Sequence, residues 1–453
     1  MTSSIKPPHS GPGSVDPAAV RAPMAPPPGR GGPTDITHDE ELRRGIIHTE
    51  ISRTTALALL GAFLLFIYGA PLYEITMEQM NDEENVLLDL FRRPLTKENL
   101  KQVEEDLDNN SRLRNWVQPR LQELLTRYGR VGNKKAVIGQ DGWLYYQPGV
   151  AFLGGQPFLD HDRITSRQRA ARMEAGEEIH PDPRPAILAF AKTLAARGIK
   201  LVLFPVPDKT MLEPAKLHGR WDAKSPSPPP RNPDFDRFFA EMQAAGVLAF
   251  NATPQVLTPG EPPRFLQQDT HWTPQWMNQV ARDLAAFIKT AVPLPAVDAP
   301  ALQVKEMPAS RVGDIVDMLK LPEGQKVFAP ESTTIAKVTT AAGENFEPDP
   351  KGDVLLLGDS FTNIFTQAPM GWGESAGFAP HLAVALGRPL DVIAQNDAGA
   401  FATRNLLARE LAAGEDRLAG KRVVIWEFAA RELGVGDWKP IDWAASKTPT
   451  IKP

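Results

Sequence analysis

The feature that most constrains what this chain can fold into is a run of twenty uncharged residues at positions 54–73, TTALALLGAFLLFIYGAPLY. A helix rises about 1.5 Å per residue, so this run would span about 30 Å, the thickness of a bilayer core. A cleaved signal peptide is disfavoured, because 53 residues precede the run and the best small-residue cleavage site, after Ala70, is followed by Pro71. A buried core helix is disfavoured because no face of the run is polar. The run therefore predicts one transmembrane helix, residues 54–73, that acts as a signal anchor.

The charges on either side of this run predict its orientation. Three arginines precede the run: Arg43, Arg44 and Arg53. Five acidic residues follow it: Glu74, Glu78, Asp82, Glu83 and Glu84. Because the positively charged flank of a membrane helix stays in the cytoplasm, we expect a single-pass inner-membrane protein. Its N-terminus would be cytoplasmic and its large C-terminal part periplasmic.

The composition bounds the remainder of the chain. Apolar residues make up 42% of the 453 residues and charged residues 23%, so most of the chain can bury a core. A net charge of −5 provides no basic footprint, and we expect no nucleic-acid partner. The chain has no cysteine, which excludes disulfides, thiolate zinc sites and a cysteine nucleophile.

Three segments outside the main domain have a distinct character. Residues 1–33 contain nine prolines and five glycines, which predicts a disordered cytoplasmic tail over residues 1–45. Residues 76–130 are rich in Glu, Lys and Arg with scattered leucines, which predicts a helical stalk. Residues 441–453 would form a C-terminal tail.

Between residues 131 and 440, strand and helix patterns alternate. Five short β-type runs are present, at residues 201–206, 247–250, 354–357, 390–393 and 423–428. Helical patterns lie at residues 185–197, 273–288 and 381–386. This alternation predicts an α/β domain with a mostly parallel sheet covered on both faces. Weaker signals at residues 300–350 are consistent with a β-rich insertion.

The first candidate for chemistry is Ser360. The buried run VLLL at residues 354–357 leads directly into Gly358, Asp359 and Ser360. In a parallel sheet this puts Ser360 at the carboxyl end of a strand, the edge where such folds bind ligands. The alternative is that Gly-Asp-Ser is only a strand-ending turn, for which these residues are also favoured.

The second candidate is the segment Gln-Asp-Thr-His-Trp at residues 268–272. In an extended segment residues i and i+2 point to the same side, so Asp269 and His271 can share one site. The carboxylate can then orient the imidazole, whose other nitrogen accepts a serine proton. A turn-capping Asp beside a surface His is the alternative. A metal site would need further ligands at suitable spacing, which the other histidines do not provide, so we expect no metal.

Five blocks occur in this order: GQDGWLY at 139–145, LVLFPVPDK at 201–209, DTHW at 269–272, GDS at 358–360 and VIWEF at 424–428. Together they resemble the SGNH-hydrolase-like domain of the AlgJ/AlgX type of alginate O-acetyltransferases. The resemblance covers residues 131–440 and implies a three-layer, flavodoxin-like parallel sheet domain. No GxSxG elbow is present, so an ordinary α/β-hydrolase is not supported.

The resemblance also implies roles for individual residues. Ser360 would take up an acetyl group, with His271 as its general base and Asp269 orienting the imidazole. Because Asp269 and His271 precede Ser360, the catalytic blocks are in a permuted order relative to ordinary SGNH enzymes. Four further candidates follow strands: Asn396 and Gly399 as oxyanion donors, and Lys209 and Arg431 as substrate contacts. For Lys209 and Arg431, simple surface solubility is the alternative.

The function implied is O-acetylation of an exopolysaccharide, alginate-like or other, outside the inner membrane and without a cofactor. Acetyl-CoA is absent there, so the family analogy supplies a membrane-bound O-acyltransferase as the acetyl donor and a polysaccharide as the acceptor. A carbohydrate acetyl esterase with the same triad is one alternative, since it differs only in the acceptor. A non-catalytic polysaccharide-binding assembly protein is the other, and the intact Ser360, His271 and Asp269 argue against it.

Overall fold

The computed structural model describes residues 51–92, 94–221, 224–396 and 399–443. The predicted disordered tail, residues 1–45, and most of the predicted C-terminal tail, residues 444–453, lie outside these ranges. The chain divides into two compact units, one ending at Asn109 and the other beginning at Asn110.

The first unit contains the apolar helix. Helix α1, Arg53–Met80, contains a π-helical turn at Leu65–Gly69 just before Pro71, whose ring nitrogen cannot donate to the helical ladder. Among the described residues α1 is the one helix long and apolar enough to cross a membrane, and none of its most apolar window is buried. It contains the predicted span and continues about two turns beyond it. Two shorter helices follow: α2, Val86–Arg92, and α3, Lys97–Asn110.

The second unit alternates strands and helices. Its first half contains α4 (Arg112–Gly129), β1 (Ala136–Ile138), β2 (Leu144–Tyr146), α5 (Gln147–Gly154), α6 (His161–Glu174), α7 (Pro183–Ala195), β3 (Lys200–Val206), α8 (Lys209–Leu212), α9 (Pro214–Leu217), α10 (Phe235–Ala244) and β4 (Leu248–Ala249). Its second half contains α11 (Pro274–Ala291), β5 (Leu302–Arg311), α12 (Asp314–Leu319), β6 (Glu331–Thr340), β7 (Val354–Gly358), α13 (Ser360–Asn363), α14 (Phe378–Leu386), β8 (Leu390–Ala394), α15 (Gly399–Ala412), β9 (Val423–Ala429) and α16 (Glu432–Val435).

A five-stranded sheet forms the centre of this unit, in the order β4-β3-β9-β7-β8. All of its strand pairs are parallel. Its five strands coincide with the five predicted apolar runs, so the predicted parallel α/β sheet is confirmed. All residues of β7 and β9 are buried, as expected for central strands whose two faces are covered.

Helices cover both faces of the sheet. On one face, Trp426 of β9 packs edge-on against Phe190 of α7, and the guanidinium of Arg404 in α15 lies over the same indole. On the other face, Phe204 of β3 packs against Phe378 of α14, which in turn packs with α11. The domain therefore has the three layers that the sequence predicts.

The predicted β-rich insertion is also present. Strands β5 and β6 form an antiparallel ribbon, with Leu302 opposite Thr340 and Arg311 opposite Glu331. Helix α12 lies in the connection between them. This insertion matters for function because it brings Asp314, the first residue of α12, to the Asp-x-His segment.

Candidate active site

The nucleophile candidate lies at the end of β7. Ser360 is the first residue of α13, directly after the strand, and its side chain is half-buried. Asp359 caps the short helix by accepting from the Phe361 amide at 2.8 Å, and its second carboxylate oxygen accepts from the Ala429 amide of β9 at 2.9 Å. The tight turn is therefore fixed to the neighbouring strand, and Ser360 projects from the sheet edge.

The Asp-x-His segment lies in the loop before α11. A bridge between Phe265 and Trp272 folds the loop back on itself, and Thr273 caps α11 through its hydroxyl group. Trp272 is fully buried and packs edge-on against Phe361, the residue after Ser360. Trp272 thus anchors the segment in the core and fixes its position against the nucleophile turn.

The structure brings Ser360, His271 and Asp269 together. The Ser360 Oγ lies 2.8 Å from His271 Nε2, and His271 Nδ1 lies 2.6 Å from Asp269 Oδ1. With Nδ1 donating to the carboxylate, Nε2 is left to accept the serine proton. These are the distances and the connectivity of a serine nucleophile with its base and its orienting carboxylate.

The Asp269 carboxylate is fully buried and accepts from four donors. Besides His271 Nδ1 they are the His271 amide at 3.2 Å, Trp372 Nε1 at 3.0 Å and the Asp314 amide at 3.1 Å. Burial alone would raise the pKa of Asp269, but the hydrogen bond to His271 and the histidine charge outweigh it and hold the pKa below its usual value. Asp269 is therefore ionised at neutral pH.

A second carboxylate, Asp314, lies beside the first. It accepts from the Thr270 amide and the Thr270 hydroxyl group, both at 2.7 Å, and one of its oxygens lies 3.8 Å from His271 Nδ1. Burial and the charge of Asp269 raise the pKa of Asp314 to about 6. Burial alone would lower the pKa of His271, but the hydrogen bond to Asp269 and the charges of Asp269, Asp314 and Asp359 raise it above its usual value.

Asp269, His271 and Asp314 form one group whose ligand atoms could hold a metal ion, since they lie within 4.8 Å of one another. Their lone pairs are already directed to protein donors, however. Asp269 accepts from four N–H groups, and both oxygens of Asp314 accept from Thr270. The arrangement fits a hydrogen-bonded imidazole better than an open cation site.

Lys209 is placed differently from the sequence expectation of a substrate contact. Its ammonium group is buried and donates to the carbonyls of Leu144, Gln267 and Asp269 at 2.6, 2.9 and 3.0 Å. These three bonds use all three protons of the group, so none remains for a substrate. Burial lowers the pKa of Lys209 to about 8. Lys209 ties the Asp-x-His segment to β2 instead.

The two oxyanion candidates occupy different surroundings. The Asn396 amide group donates to Gln367 at 3.2 Å and accepts from Asn363 of α13 at 2.9 Å. Gly399 begins α15 with a φ of +59°, and a Cβ at this position would lie 2.2 Å from a Glu432 oxygen. Asn396 is thus linked to the helix that follows Ser360, whereas Gly399 adjoins Glu432.

Arg431 lies close to the nucleophile turn. Its guanidinium donates to Asp208 at 3.2 Å and lies over the rings of Tyr146 and Phe361, at 5.1 and 5.8 Å from their centres. Its side chain is 11% exposed. The two contact residues Tyr146 and Asp208 line, together with Thr270, a cavity of about 10 Å³, which is room for about one water molecule.

Several site residues carry no signal in the sequence. Asp314 and Trp372 reach Asp269 from segments 45 and 103 residues away, and Glu427 reaches the nucleophile turn from β9. Asn363 is the exception, because it is three residues after Ser360 on the same helix and helical spacing could have pointed to it.

We expect Asp314→Asn to shift the acid limb of the activity profile to lower pH. A histidine can act as a general base only when it is neutral, and the charge of Asp314 is one of those that raise the pKa of His271. An asparagine can keep both bonds to Thr270 while removing the charge. The check is the rate of acyl-ester turnover by the full chain as a function of pH. Asp317→Asn, an exposed carboxylate paired with Arg311, is the control, and an unmoved or raised limb for Asp314→Asn would contradict this assignment.

A parallel sheet between two helical layers, with a strand-end serine and an Asp-x-His pair beside it, defines the class of SGNH hydrolase-like domains. Residues 136–430, well over half of the chain, match the family described as "SGNH hydrolase-like domain, acetyltransferase AlgX". The chain belongs to this family, and the resemblance noted in its sequence blocks is confirmed.

Similar proteins include relatives from two bacterial genera. A protein of Azotobacter vinelandii named "Probable alginate O-acetylase AlgJ" is 29% identical over 294 residues, which cover 63% of this chain and 70% of the relative. A protein of the same name from Pseudomonas fluorescens is 28% identical over 337 residues, covering 69% and 73%. The solved O-acetyltransferase domain of Pseudomonas putida AlgJ is 21% identical, covers 68% of this chain and 93% of that structure, and superposes with a TM-score of 0.46.

Proposed function

We propose that this protein is an exopolysaccharide O-acetyltransferase that works through an acetyl-Ser360 intermediate. The observation that carries the proposal is the unbroken chain of short hydrogen bonds from Ser360 through His271 to Asp269. Membership of the acetyltransferase family and the printed names of the alginate O-acetylase relatives support the same reaction.

The first half-reaction loads the enzyme. His271 Nε2 takes the proton from Ser360 Oγ, which attacks the acetyl carbonyl of the donor ester. The new Oγ–carbon bond forms, the donor's carbon–oxygen bond breaks, and the leaving oxygen receives the proton from His271. Asp269 stabilises the imidazolium during this step.

The second half-reaction transfers the acetyl group from Ser360 to the sugar. A sugar hydroxyl gives its proton to His271 and attacks the acetyl carbonyl, and the bond to Ser360 Oγ breaks as the serine regains a proton. Transfer prevails over hydrolysis when a bound sugar occupies the position that water would otherwise take.

The negative charge on the carbonyl oxygen needs donors in both steps. The Ser360 amide is the first candidate, since it donates no hydrogen bond to any of the described residues. The Asn396 side chain is the second candidate, and it would have to exchange Gln367 for the oxyanion. Gly399 stays a third candidate through its position after β8.

The transfer itself is the sharpest test of this function. The full chain in detergent would be given an activated acetyl ester with and without alginate or another polysaccharide, and acetate release and polymer-bound acetyl would be measured. Acetyl on the polymer, at the expense of free acetate, supports a transferase. Free acetate alone, unaffected by any polymer, would make the protein an acetyl esterase, and no turnover of either kind would favour a non-catalytic binding protein.

Arg431 is the residue we assign to recognition of an acidic polymer. The chain's net charge of −5 gives no long-range attraction to a polyanion, so recognition has to be local. The Arg431 side chain is a partly exposed cation against the ring of Phe361, next to the nucleophile. Its guanidinium could pair with a sugar carboxylate.

We expect Arg431→Met to lower kcat/KM for a polyuronate acceptor about 10- to 100-fold, the loss typical of a charged hydrogen bond. A neutral polysaccharide acceptor should be affected far less, so the ratio of the two is the quantity to measure. Arg431→Lys, which keeps the charge beside Asp208, should give an intermediate ratio. Arg282→Met removes an exposed cation elsewhere and serves as the control. An unchanged ratio for Arg431→Met would remove Arg431 from the acceptor site.

The proposed location is the inner membrane, with α1 as a single-pass anchor, a cytoplasmic N-terminus and the acetyltransferase domain in the periplasm. The flanking charges and the apolar helix support this topology. Because the chain lacks cysteine, single cysteines at positions 38 and 305 can test it. An impermeant maleimide should label only position 305 in intact spheroplasts, and labelling of position 38 alone would reverse the topology.

The proposed acetyl donor is a membrane-bound O-acyltransferase, because acetyl-CoA does not reach the periplasm. The anchor would hold the domain beside such a partner. In cells that lack membrane-bound O-acyltransferases, we expect the chain to be purified without acetyl on Ser360. Undiminished acetylation in those cells would point to another donor.

A further inference from the structure

Glu427 is a buried carboxyl group directly beneath the nucleophile turn. It lies in β9, one residue beyond the last β7–β9 pair, Leu357 with Trp426, and its side chain is 1% exposed. Its position in the middle of a sheet, where an acid is rarely found, sets it apart from the apolar residues that precede it in the strand.

The contacts of Glu427 lie on either side of Ser360. Its Oε2 atom accepts from the Asp359 amide at 3.0 Å and from the Thr362 hydroxyl group at 2.7 Å. Asp359 precedes the nucleophile and Thr362 follows it in α13. One oxygen atom therefore ties both sides of the nucleophile turn to the neighbouring strand.

Two further observations show that the nucleophile turn is held close to β9. Asp359 accepts from the Ala429 amide, two residues beyond Glu427 in β9. At Gly358 a Cβ would lie 2.2 Å from the Thr362 hydroxyl oxygen and 3.1 Å from Glu427 Oε2, so the strand end can approach this closely only with glycine at that position.

The surroundings of Glu427 favour its neutral form. Burial, and then the charge of the adjacent Asp359, raise the pKa of Glu427 well above its usual value. Its other oxygen, Oε1, is buried and receives no hydrogen bond from any of the described residues. A protonated carboxyl group carries its proton on such an oxygen and donates it to an acceptor, and a hydrogen bond between the side chains of Glu427 and Asp359 is a further cause of the raised pKa.

We propose that Glu427 is a positioning residue for Ser360, acting as a neutral acid that holds both ends of the nucleophile turn. It does not touch the reacting atoms. It fixes the backbone from which Ser360 Oγ meets His271 Nε2, and a small displacement of a nucleophile is costly in rate. This role rests on the proposed function, because it assumes that Ser360 is the nucleophile.

The test compares a side chain that imitates the neutral acid with one that removes the tie. Glutamine at 427 can accept both bonds through its oxygen and direct its amide towards Asp359, whereas alanine can do neither. The measured quantity is the second-order rate of Ser360 labelling by a fluorophosphonate, read by intact mass on the full chain in detergent, with the thermal midpoint recorded alongside.

We expect Glu427→Gln to label within about threefold of the wild type and Glu427→Ala to label about 10- to 100-fold more slowly, as for two lost hydrogen bonds. Thr362→Val removes one of the two hydrogen bonds to Glu427, so its labelling rate should lie between the rates of the two Glu427 variants. If Glu427→Ala does not fold, the rate of Thr362→Val tests the positioning role. Asp391→Asn breaks a buried ion pair with Lys421 at the opposite end of the sheet and controls for stability loss alone.

The outcomes separate the two hypotheses. A wild-type chain that never labels on Ser360 contradicts the proposed function, whatever the variants do. Wild-type labelling with Glu427→Ala and Thr362→Val equally fast overturns the positioning role. If Glu427→Gln labels as slowly as Glu427→Ala, the claim that Glu427 acts as a neutral acid is wrong, because a charged group would then be required.

Discussion

Ser360→Ala is expected to abolish acetyl uptake by the chain and to slow ester turnover roughly 10⁶-fold, the loss seen when a serine nucleophile is removed from an intact triad. Alanine leaves His271 without a partner for Nε2, but the bond from His271 to Asp269 and the backbone of the turn are unaffected. Stability should therefore change little. The measurement is intact mass and acetate release after incubation with an activated acetyl ester.

A matched serine variant shows whether the effect belongs to this hydroxyl group. Ser375 is buried, donates to the Val338 carbonyl at 2.6 Å and accepts from the Phe346 amide at 2.8 Å. Ser375→Ala should lose some stability and retain acetyl uptake. If Ser360→Ala still forms the acetyl adduct at the wild-type rate, the nucleophile is another residue and the acyl-enzyme mechanism proposed for Ser360 is wrong.

The sheet was predictable because its strands are buried on both faces. A central parallel strand consists largely of consecutive apolar residues, such as VLLL at 354–357 and VVIW at 423–426, and such runs stand out in any sequence. The strand order is a different matter. That β9 lies between β3 and β7 depends on packing between distant segments, which no local pattern records.

The local geometry of the site was also open to prediction. The two-residue period of extended chain predicts Asp269 and His271 on one side. The structure has their side chains hydrogen-bonded at 2.6 Å, but residues 267–271 are bent and the His271 amide donates to Asp269 at 3.2 Å, so a turn and not an extended segment brings them together. The strand-end position of Ser360 follows from the same kind of reasoning. Both inferences concern residues close together in sequence, where backbone geometry leaves few alternatives.

The supporting residues could not be inferred in this way. Asp314 arrives on an insertion between two ribbon strands, and Trp372 from a loop beyond α13. Lys209 is the converse case, since a lysine after a strand suggests an exposed cation. Here three backbone carbonyls accept hydrogen bonds from its ammonium group and offset the free-energy cost of burying the charge. Such convergence is a property of the fold and has no counterpart in the local sequence.

Asp269→Asn is the second change for which we expect a large effect, because every lone pair of this carboxylate is in use. An asparagine must direct its NH₂ group either to His271 Nδ1 or to the Trp372 and Asp314 N–H groups. In the first case Nδ1 has to accept, so the ring proton moves to Nε2 and the base can no longer take the serine proton. In the second case the asparagine NH₂ group faces the N–H groups of Trp372 and Asp314 in a fully buried position, and these unpaired donors lower the stability of the fold.

The expected result is therefore a loss of about 10⁴-fold in the rate at which a fluorophosphonate labels Ser360. In ¹⁵N NMR spectra of the isotope-enriched protein, the His271 ring should be in the other tautomer, with its proton on Nε2. Asp314→Asn is the matched control. It neutralises a neighbouring carboxylate that lies 3.8 Å from His271 Nδ1 and so does not accept its hydrogen bond. This variant should lose far less of the Ser360 labelling rate. Equal losses in the two variants would mean that the negative charge of the cluster, and not the orientation of the imidazole, is what activates Ser360.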